Sequence, residues 1–528
     1  MKSKKTAAVS FFLVIAAAVP IMIFLLGREQ KESRPAPTRN YALVEPGESL
    51  EAVVAKAARI APSPRQWAWQ TREFIAFAHF GMNTFTDREW GQGTEDPKTF
   101  LPTDFDARQW VRVVKAAGMK TLIVTAKHHD GFCLWPTALT AHSVKSSVWR
   151  EGKGDVVGEI ASACREAGIG FGVYLSPWDR HEPSFGDSSK YNAFFLGQLR
   201  ELLTNYGPIQ EVWFDGANGE GPNGKRQEYD WPSFYRLIRE LQPEAAIAIM
   251  GPDARWVGTE SGFGRETEWS VLPVDVPDPA ALASPAAANP LDGAFRPRDL
   301  QAADLGSRER LAGARVLIWY PAETDVSIRP GWFYHAAQDG EVKTPETLLE
   351  IYESSVGRNG VLLLNIPPDR RGRINENDER SLLGLRRLLD DTYGTNLAAG
   401  AAARASSAAA GRGPEFVLDA NPDSFWTAAE GTTSTDITFD LAVPAEFDRL
   451  VLGEYIRTGQ RIEAFSLEIE EGGGWKTVVR GTTVGYKRIL RFPAVRAGRV
   501  RLTIEKSRAA PALAAFGLHR LPVQGAPR

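Results

Sequence analysis

Glu211-Val212-Trp213-Phe214-Asp215-Gly216 ends a run of bulky strand formers with a carboxylate and then a glycine. In a parallel α/β protein this is the C-terminal tip of a buried strand, where side chains enter the ligand crevice. A carboxylate there is either a catalytic group or the N-cap of the next element. Other strand ends carry similar residues. Ala78-His79-Phe80-Gly81, Lys127-His128-His129-Asp130-Gly131 and Tyr174-Leu175-Ser176-Pro177-Trp178-Asp179 follow three apolar runs. A fifth leads through Gly251-Pro252-Asp253 to Arg255-Trp256 and Glu260, and Trp319-Tyr320 and Glu323 follow a later one. One such residue at one tip is usually structural; polar or aromatic groups at every clear tip are hard to explain by core packing.

Two chemistries use these residue types. His79, His128 and His129 with Asp215 resemble a His/Asp metal set. Adjacent histidines on a strand point to opposite faces, so His128 and His129 both ligate only if the strand ends between them. No His-x-His pair follows the first strand, and Cys133 and Cys164 are the only cysteines, so a metal site is disfavoured and no disulfide framework is expected. The second chemistry is hydrolysis of a glycosidic bond by two carboxylates, one attacking the anomeric carbon or activating water, the other protonating the leaving oxygen. Neutral imidazoles and aromatic rings suit a sugar. Asp215, flanked by Trp213 and Phe214, suits the nucleophile; Glu260, Glu266 and Glu268 are candidate acids, and spacing does not choose among them.

The elements that must position these residues alternate between strand and helix. Strands are expected at 74–81, 121–126, 170–176, 212–215 and 246–250, and helices at 107–117, 156–167, 191–206 and 231–241. This is a parallel sheet, and a span to about residue 396 suits a (β/α)8-like barrel. Val316–Tyr320 and Val361–Asn365 are its later strands, and Pro273–Gly306 reads as an insertion without period. Composition shifts to Ala, Gly and Ser over 395–414, after which short strands at 436–441, 449–452, 465–469, 476–479, 487–492 and 500–504 indicate an all-β sandwich. The resulting division is 1–27, a linker at 28–45, a catalytic domain at 46–396 and a sandwich at 397–522.

At the N-terminus, Lys2, Lys4 and Lys5 precede an uncharged apolar run from Thr6 to Gly27. It is long enough to span a bilayer of about 30 Å at about 1.5 Å per residue. A membrane anchor is favoured over a cleaved signal peptide, with the body exported to the periplasm or the extracellular space. A formal net charge of −3, from 62 basic and 65 acidic residues, gives no reason to expect nucleic acid as a partner. The sequence carries no signal for oligomeric state.

Several motifs in order give a family resemblance. Phe77-Ala78-His79-Phe80-Gly81, Glu89-Trp90-Gly91, Lys127-His128-His129-Asp130-Gly131-Phe132, Gly172-Val173-Tyr174-Leu175-Ser176-Pro177-Trp178 and Val212-Trp213-Phe214-Asp215-Gly216 together resemble the α-L-fucosidases of glycoside hydrolase family 29. Trp90–Pro97 and Arg255-Trp256-Val257-Gly258-Thr259-Glu260 resemble its branch that prefers α-1,3/1,4-linked fucose. The resemblance implies a retaining mechanism, Asp215 as nucleophile, Glu260 as acid/base, no metal, and a fucosylated oligosaccharide or glycoconjugate as substrate. His79, Glu89, Trp90, His128, His129, Tyr174, Trp178 and Trp319 would bind the sugar, and Arg255 would hold the catalytic carboxylates. Glu260 would need a raised pKa to start protonated, while Asp215 stays ionised. In a reading without the resemblance, the chain is a non-catalytic glycan-binding protein or a glycosidase for another sugar. The C-terminal segment, with Val417-Leu418-Asp419-Ala420-Asn421-Pro422-Asp423-Ser424-Phe425-Trp426, resembles discoidin-type domains. That resemblance admits a structural calcium and implies a domain packed against the barrel.

Overall fold

The computed structural model describes residues 39–276, 296–297 and 300–522. The apolar run Thr6–Gly27 and much of the 273–306 insertion lie outside them; among the described residues no helix is long and apolar enough to cross a membrane.

The first twelve strands are β1 (Tyr41–Leu43), β2 (Phe74–Ala78), β3 (Thr121–Lys127), β4 (Gly170–Leu175), β5 (Glu211–Phe214), β6 (Ala246–Ile249), β7 (Arg255–Trp256), β8 (Val271–Asp275), β9 (Arg296–Pro297), β10 (Val316–Trp319), β11 (Ala322–Ser327) and β12 (Val361–Asn365). Eight of them form a parallel barrel in the order β6-β5-β4-β3-β2-β12-β11-β7. It nearly closes where Met250 bridges Arg255. Alternation along each strand sorts the side chains. Val212 and Phe214 join the core beneath the helices, as do Leu122, Val124, Leu362 and Leu364. Trp213, Tyr174, Phe77, Ile75, Val361 and Leu363 instead pack together inside the barrel, above Trp69.

The helices start where the sequence supplies an oxygen to cap them. Asp106, Asp155, Asp187 and Asp230 cap Ala107–Ala116, Val156–Ala167, Ser188–Asn205 and Trp231–Leu241 in this way. Val156–Ala167 stops at Gly168, whose φ of 70° lies in the left-handed region that glycine enters without a Cβ penalty.

Two expectations for the N-terminal half need correction. Val316–Trp319 is not a barrel strand. It lies in a four-stranded antiparallel sheet, order β1-β10-β8-β9, outside the barrel. The barrel strand is β11, three residues further on, paired in parallel with β12. Consequently Tyr41–Leu43, assigned from sequence to a linker, is already folded as the edge of that sheet, opposite Val316–Ile318. Val271–Asp275, which runs into the supposed insertion at Pro273, is its third strand.

The C-terminal domain is antiparallel: β13 (Ala402–Ala405), β14 (Trp426–Thr427), β15 (Thr435–Glu454), β16 (Ile462–Glu471), β17 (Gly474–Gly481), β18 (Arg488–Ser507) and β19 (Ala512–His519). Pairs of expected short strands merge into β15 and β18, each 20 residues long and broken by register shifts near Asp440/Ala445 and Phe447/Arg449. Its own core holds Trp426, Phe439, Phe465, Leu502 and Phe516. In the discoidin-like loop, the Asp419 carboxylate accepts from Asn421 N–H (2.9 Å) and the Ser424 hydroxyl (2.8 Å), and Asp423 pairs with Arg457.

This domain packs on the segment that follows Glu260. Thr483 Oγ1 accepts from Glu268 N–H (3.0 Å), and Gln460 accepts from Ser270 N–H (2.8 Å) while donating to the Glu268 carbonyl (2.9 Å). Arg449 pairs with the buried Glu353 carboxylate at 2.8 Å, and Lys487 with Glu73 at 2.6 Å.

Candidate active site

At the C-terminal mouth of the barrel a pocket of about 150 Å3 is lined by Phe77, His79, Glu89, Trp90, His128, His129, Trp213, Asp215, Ala217, Glu260, Asp325 and Trp332. A larger cavity, about 670 Å3, opens at the other end of the barrel, but its lining carries no carboxylate. Chemistry in this fold belongs to the C-terminal face.

Asp215 follows β5 and is partly exposed to the pocket. Tyr174 donates its hydroxyl to Oδ2 (3.0 Å), Ala217 donates its N–H to Oδ1 (2.7 Å), and His129 Nε2 lies 3.8 Å from Oδ2. Tyr174 itself is fully buried, so it acts from behind Asp215.

The three histidines are buried and their hydrogen-bond partners assign the tautomers. Ser176 donates its hydroxyl to the Trp178 carbonyl (2.6 Å), so its oxygen accepts from His129 Nδ1–H (2.7 Å). Asn365 donates to Ser327 and to the Trp332 carbonyl, which turns its oxygen toward His79 Nδ1–H at 2.9 Å. Asn83 donates to the Glu89 carbonyl and lies 3.5 Å from His128 Nδ1, leaving His128 protonated on Nε2. His79 and His129 therefore keep an Nε2 lone pair and His128 an Nε2–H. Desolvation depresses all three pKa values, that of His79 to about 3, so the rings are neutral at neutral pH. The strand ends at Lys127, so both His128 and His129 reach the pocket, their centroids 4.1 Å apart.

Glu260 lies exposed at the rim and accepts from Trp332 Nε1 at 3.1 Å. Glu89 lines the pocket and also staples the facing loop. Its carboxylate accepts from Trp332 N–H (2.8 Å), Phe333 N–H (3.2 Å) and His335 Nε2 (2.6 Å). Trp90 is 55% exposed and sets its ring edge-on to His129 and Trp178. Trp178 is a backing residue: buried, it donates to the Glu220 carbonyl and packs on His129.

Two sequence assignments fail. Trp319 is fully buried outside the barrel, donating to Gln70 Oε1 at 2.9 Å, and cannot meet a sugar in this pocket. Arg255, also fully buried, pairs with Glu268 and donates to the Tyr320 carbonyl (3.0 Å), so it holds neither Asp215 nor Glu260. The same contacts dispose of the fallback acids. Glu268 is consumed by Arg255, and Glu266 pairs with Arg358 (2.9 Å) and Arg488 at the interface between the domains.

The family model described as Alpha-L-fucosidase matches residues 53–265 and 298–392, and that of the F5/8 type C domain matches 402–516. The chain belongs to the α-L-fucosidase family. It is 43% identical over 475 residues to Alpha-L-fucosidase 1 of Arabidopsis thaliana, covering 88% of this chain and 89% of the plant protein. A glycoside hydrolase 29 family member from an unknown rumen bacterium is 40% identical with a TM-score of 0.73, over 88% of this chain and 78% of that one. The GH29 fucosidase of Ruminococcus gnavus, solved in complex with fucose, is 31% identical with a TM-score of 0.77, over 88% and 95%. The protein is thus an α-L-fucosidase, an O-glycosyl hydrolase built on a barrel with a discoidin-type domain.

The sequence reading of this fucosidase missed Asp325 and Trp332. Asp325 is buried in the pocket wall, accepts from Trp256 Nε1 at 2.8 Å, and has its pKa raised to about 7 by burial, with Glu260 and Asp215 adding to the shift. The available signals were the alternating Glu323, Asp325 and Ser327, and the aromatic run Trp332-Phe333-Tyr334.

Proposed function

We propose that the enzyme removes terminal α-1,3/1,4-linked L-fucose from branched glycans with retention, using Asp215 as nucleophile and Glu260 as acid/base. The observation that carries this reading is that Asp215 and Glu260 line one small pocket together with three neutral imidazoles, while the other two acids in its wall are engaged elsewhere, Glu89 by the facing loop and Asp325 by Trp256. Asp215 attacks the anomeric carbon while Glu260 protonates the leaving oxygen. Glu260 then deprotonates a water that releases fucose from the covalent intermediate. His79 and His129 accept from sugar hydroxyls and His128 donates to one, so neutral hydroxyls are matched without adding charge. The ring faces of Trp213 and Phe77 and the rim ring of Trp90 suit the apolar face of the sugar. A double displacement needs the two carboxyls about 5–5.5 Å apart. Glu260 stands at the open rim, where the aglycone leaves.

No metal takes part in this reaction, and activity is expected to survive exhaustive chelation. The body is exported, held to a membrane by Thr6–Gly27; fractionation of cells expressing the full chain tests this. The linkage is tested by comparing fucose release from a Lewis-type trisaccharide with release from a simple aryl α-L-fucoside. Fast release from the branched glycan with little aryl activity is expected. Release from the aryl substrate alone contradicts the linkage, and no fucose from either, with the protein folded, contradicts the activity.

A further inference from the structure

Beneath the sugar pocket the barrel buries two acids that the hydrolytic steps do not use. Glu211 is 1% exposed and Glu323 0%, on β5 and β11, each two residues before a pocket-lining or pocket-supporting residue on the same face: Trp213 and Asp325. Trp69 Nε1 donates to Glu211 Oε2 at 2.9 Å, and Trp213 Nε1 donates to Glu323 Oε1 at 2.6 Å. The remaining oxygens, Glu211 Oε1 and Glu323 Oε2, are buried without a hydrogen-bond donor. The two carboxyls are neighbours, each close enough to act on the ionisation of the other. Ionised carboxylates are acceptors only, so two neighbouring buried oxygens with no donor are both satisfied by one proton held between them. Two adjacent buried carboxyls also resist ionising together.

We propose that Glu211 and Glu323 share one proton and act as positioning residues for the fucosidase site, completing the chain Trp69–Glu211–Glu323–Trp213 that fixes the Trp213 indole. Trp213 lines the pocket and stacks on Tyr174, centroids 5.2 Å apart, and Tyr174 donates to Asp215. A proton lost from the pair sets two negative charges in contact and removes the anchor beneath Trp213. Burial raises the pKa of both acids; Glu211 further disfavours ionisation of Glu323, and Asp325 adds to this. On the Glu211 side the positive charge of Arg72 favours ionisation and Asp253 opposes it. For acids with raised pKa the unfolded chain gives up protons first, so the stability held by the shared proton is present in acid and is lost as pH rises above the ordinary carboxyl range.

The consequence for turnover rests on Asp215 being the nucleophile; the shared proton does not. Glu323→Gln and Glu211→Gln test both parts, because an amide keeps the indole contact and donates to the remaining carboxylate but has no proton to lose. Two curves are measured across pH on the whole chain. One is unfolding free energy by denaturant; the other is kcat with an aryl fucoside whose leaving group needs no protonation, which removes the demand on Glu260 as acid. As base in the second step Glu260 must be ionised, so it causes no fall toward alkaline pH. In the wild type both are expected to fall toward alkaline pH. In either variant the stability curve should flatten and the fall in kcat move to higher pH, with kcat at the wild-type optimum retained within about fivefold. Unchanged stability curves in the variants would overturn the shared proton. Flattened stability with an unmoved kcat profile would overturn the positioning role. A flattened stability curve beside an Asp215→Ala variant that still turns over would reject the nucleophile and leave the proton in place. Because either amide removes the shared proton, one variant suffices if the other does not fold.

Discussion

Asp215 is held from two sides, by the Tyr174 hydroxyl and the Ala217 N–H, while Glu260 has one indole partner at an open rim. The two carboxylates should therefore respond differently to substitution. Glu260→Ala is expected to slow release of a natural glycan by about three orders of magnitude and to slow glycosylation by an activated aryl fucoside far less, since only the poor leaving group needs its proton. Equal losses on both substrates, measured by pre-steady-state release, would remove Glu260 from the acid role. The histidines carry a second prediction. The pKa of His79 falls from 6.5 to about 3 on folding, so the unfolded chain binds a proton first as pH falls. The stability it contributes is present above about 6.5 and is lost progressively toward about 3. His79→Asn should make the acid loss of unfolding free energy shallower than in wild type, read by urea titration at a series of pH values. At this scale the sequence was legible where a polar residue follows a parallel strand: Asp215, His79, His128 and His129 all reach the pocket. Trp319 misled because the same rule applied to a strand that is not in the barrel.

The element that decides the position of Glu260, the proposed acid/base, is the segment from Arg255 to Ser270, which no regular hydrogen-bond ladder supports beyond the two residues of β7. It is held instead by the buried Arg255–Glu268 pair and by Thr483 and Gln460 from the sandwich. Gln460→Ala leaves Ser270 N–H without its side-chain partner in a buried place and the Glu268 carbonyl with only the longer bond from Asn359 (3.3 Å), which costs about 1–3 kcal/mol. The expected result is a lowered melting temperature together with a fall in kcat of about two- to tenfold at little change in KM, because the acid is loosened rather than the fucose pocket. A stability loss with unchanged kcat would show that the sandwich does not position this loop. Sequence periodicity could not reveal β11, since Glu323, Thr324, Asp325 and Ser327 break its apolar pattern; the burial of Glu323, Asp325 and Ser327 is tolerated through indole and amide partners supplied from distant segments. The two long strands of the sandwich were read as short ones for a related reason: at a bulge the two-residue alternation slips.

For the whole molecule, barrel and sandwich are one folding problem. Removing the sandwich strips Glu353 of Arg449 and Glu73 of Lys487, and uncovers the backbone of the 264–270 segment. Leaving a buried carboxylate unpaired is strongly destabilising, so a chain ending at residue 396 should be insoluble or melt far below the two-domain body; a soluble, fully active barrel would contradict an obligatory interface. The domain order and the sandwich were legible from composition and strand spacing. Their mutual dependence was not, because the contacts join residues some 200 positions apart, such as Ser270 with Gln460. The central claim, hydrolysis with retention through Asp215, is tested most directly by trapping the intermediate. Glu260→Ala, exposed to an activated aryl α-L-fucoside, should form a fucosyl-enzyme faster than it can be hydrolysed, and peptide mass spectrometry should place the sugar on Asp215. A sugar on another carboxylate, or turnover that yields the inverted anomer with no adduct, would contradict it.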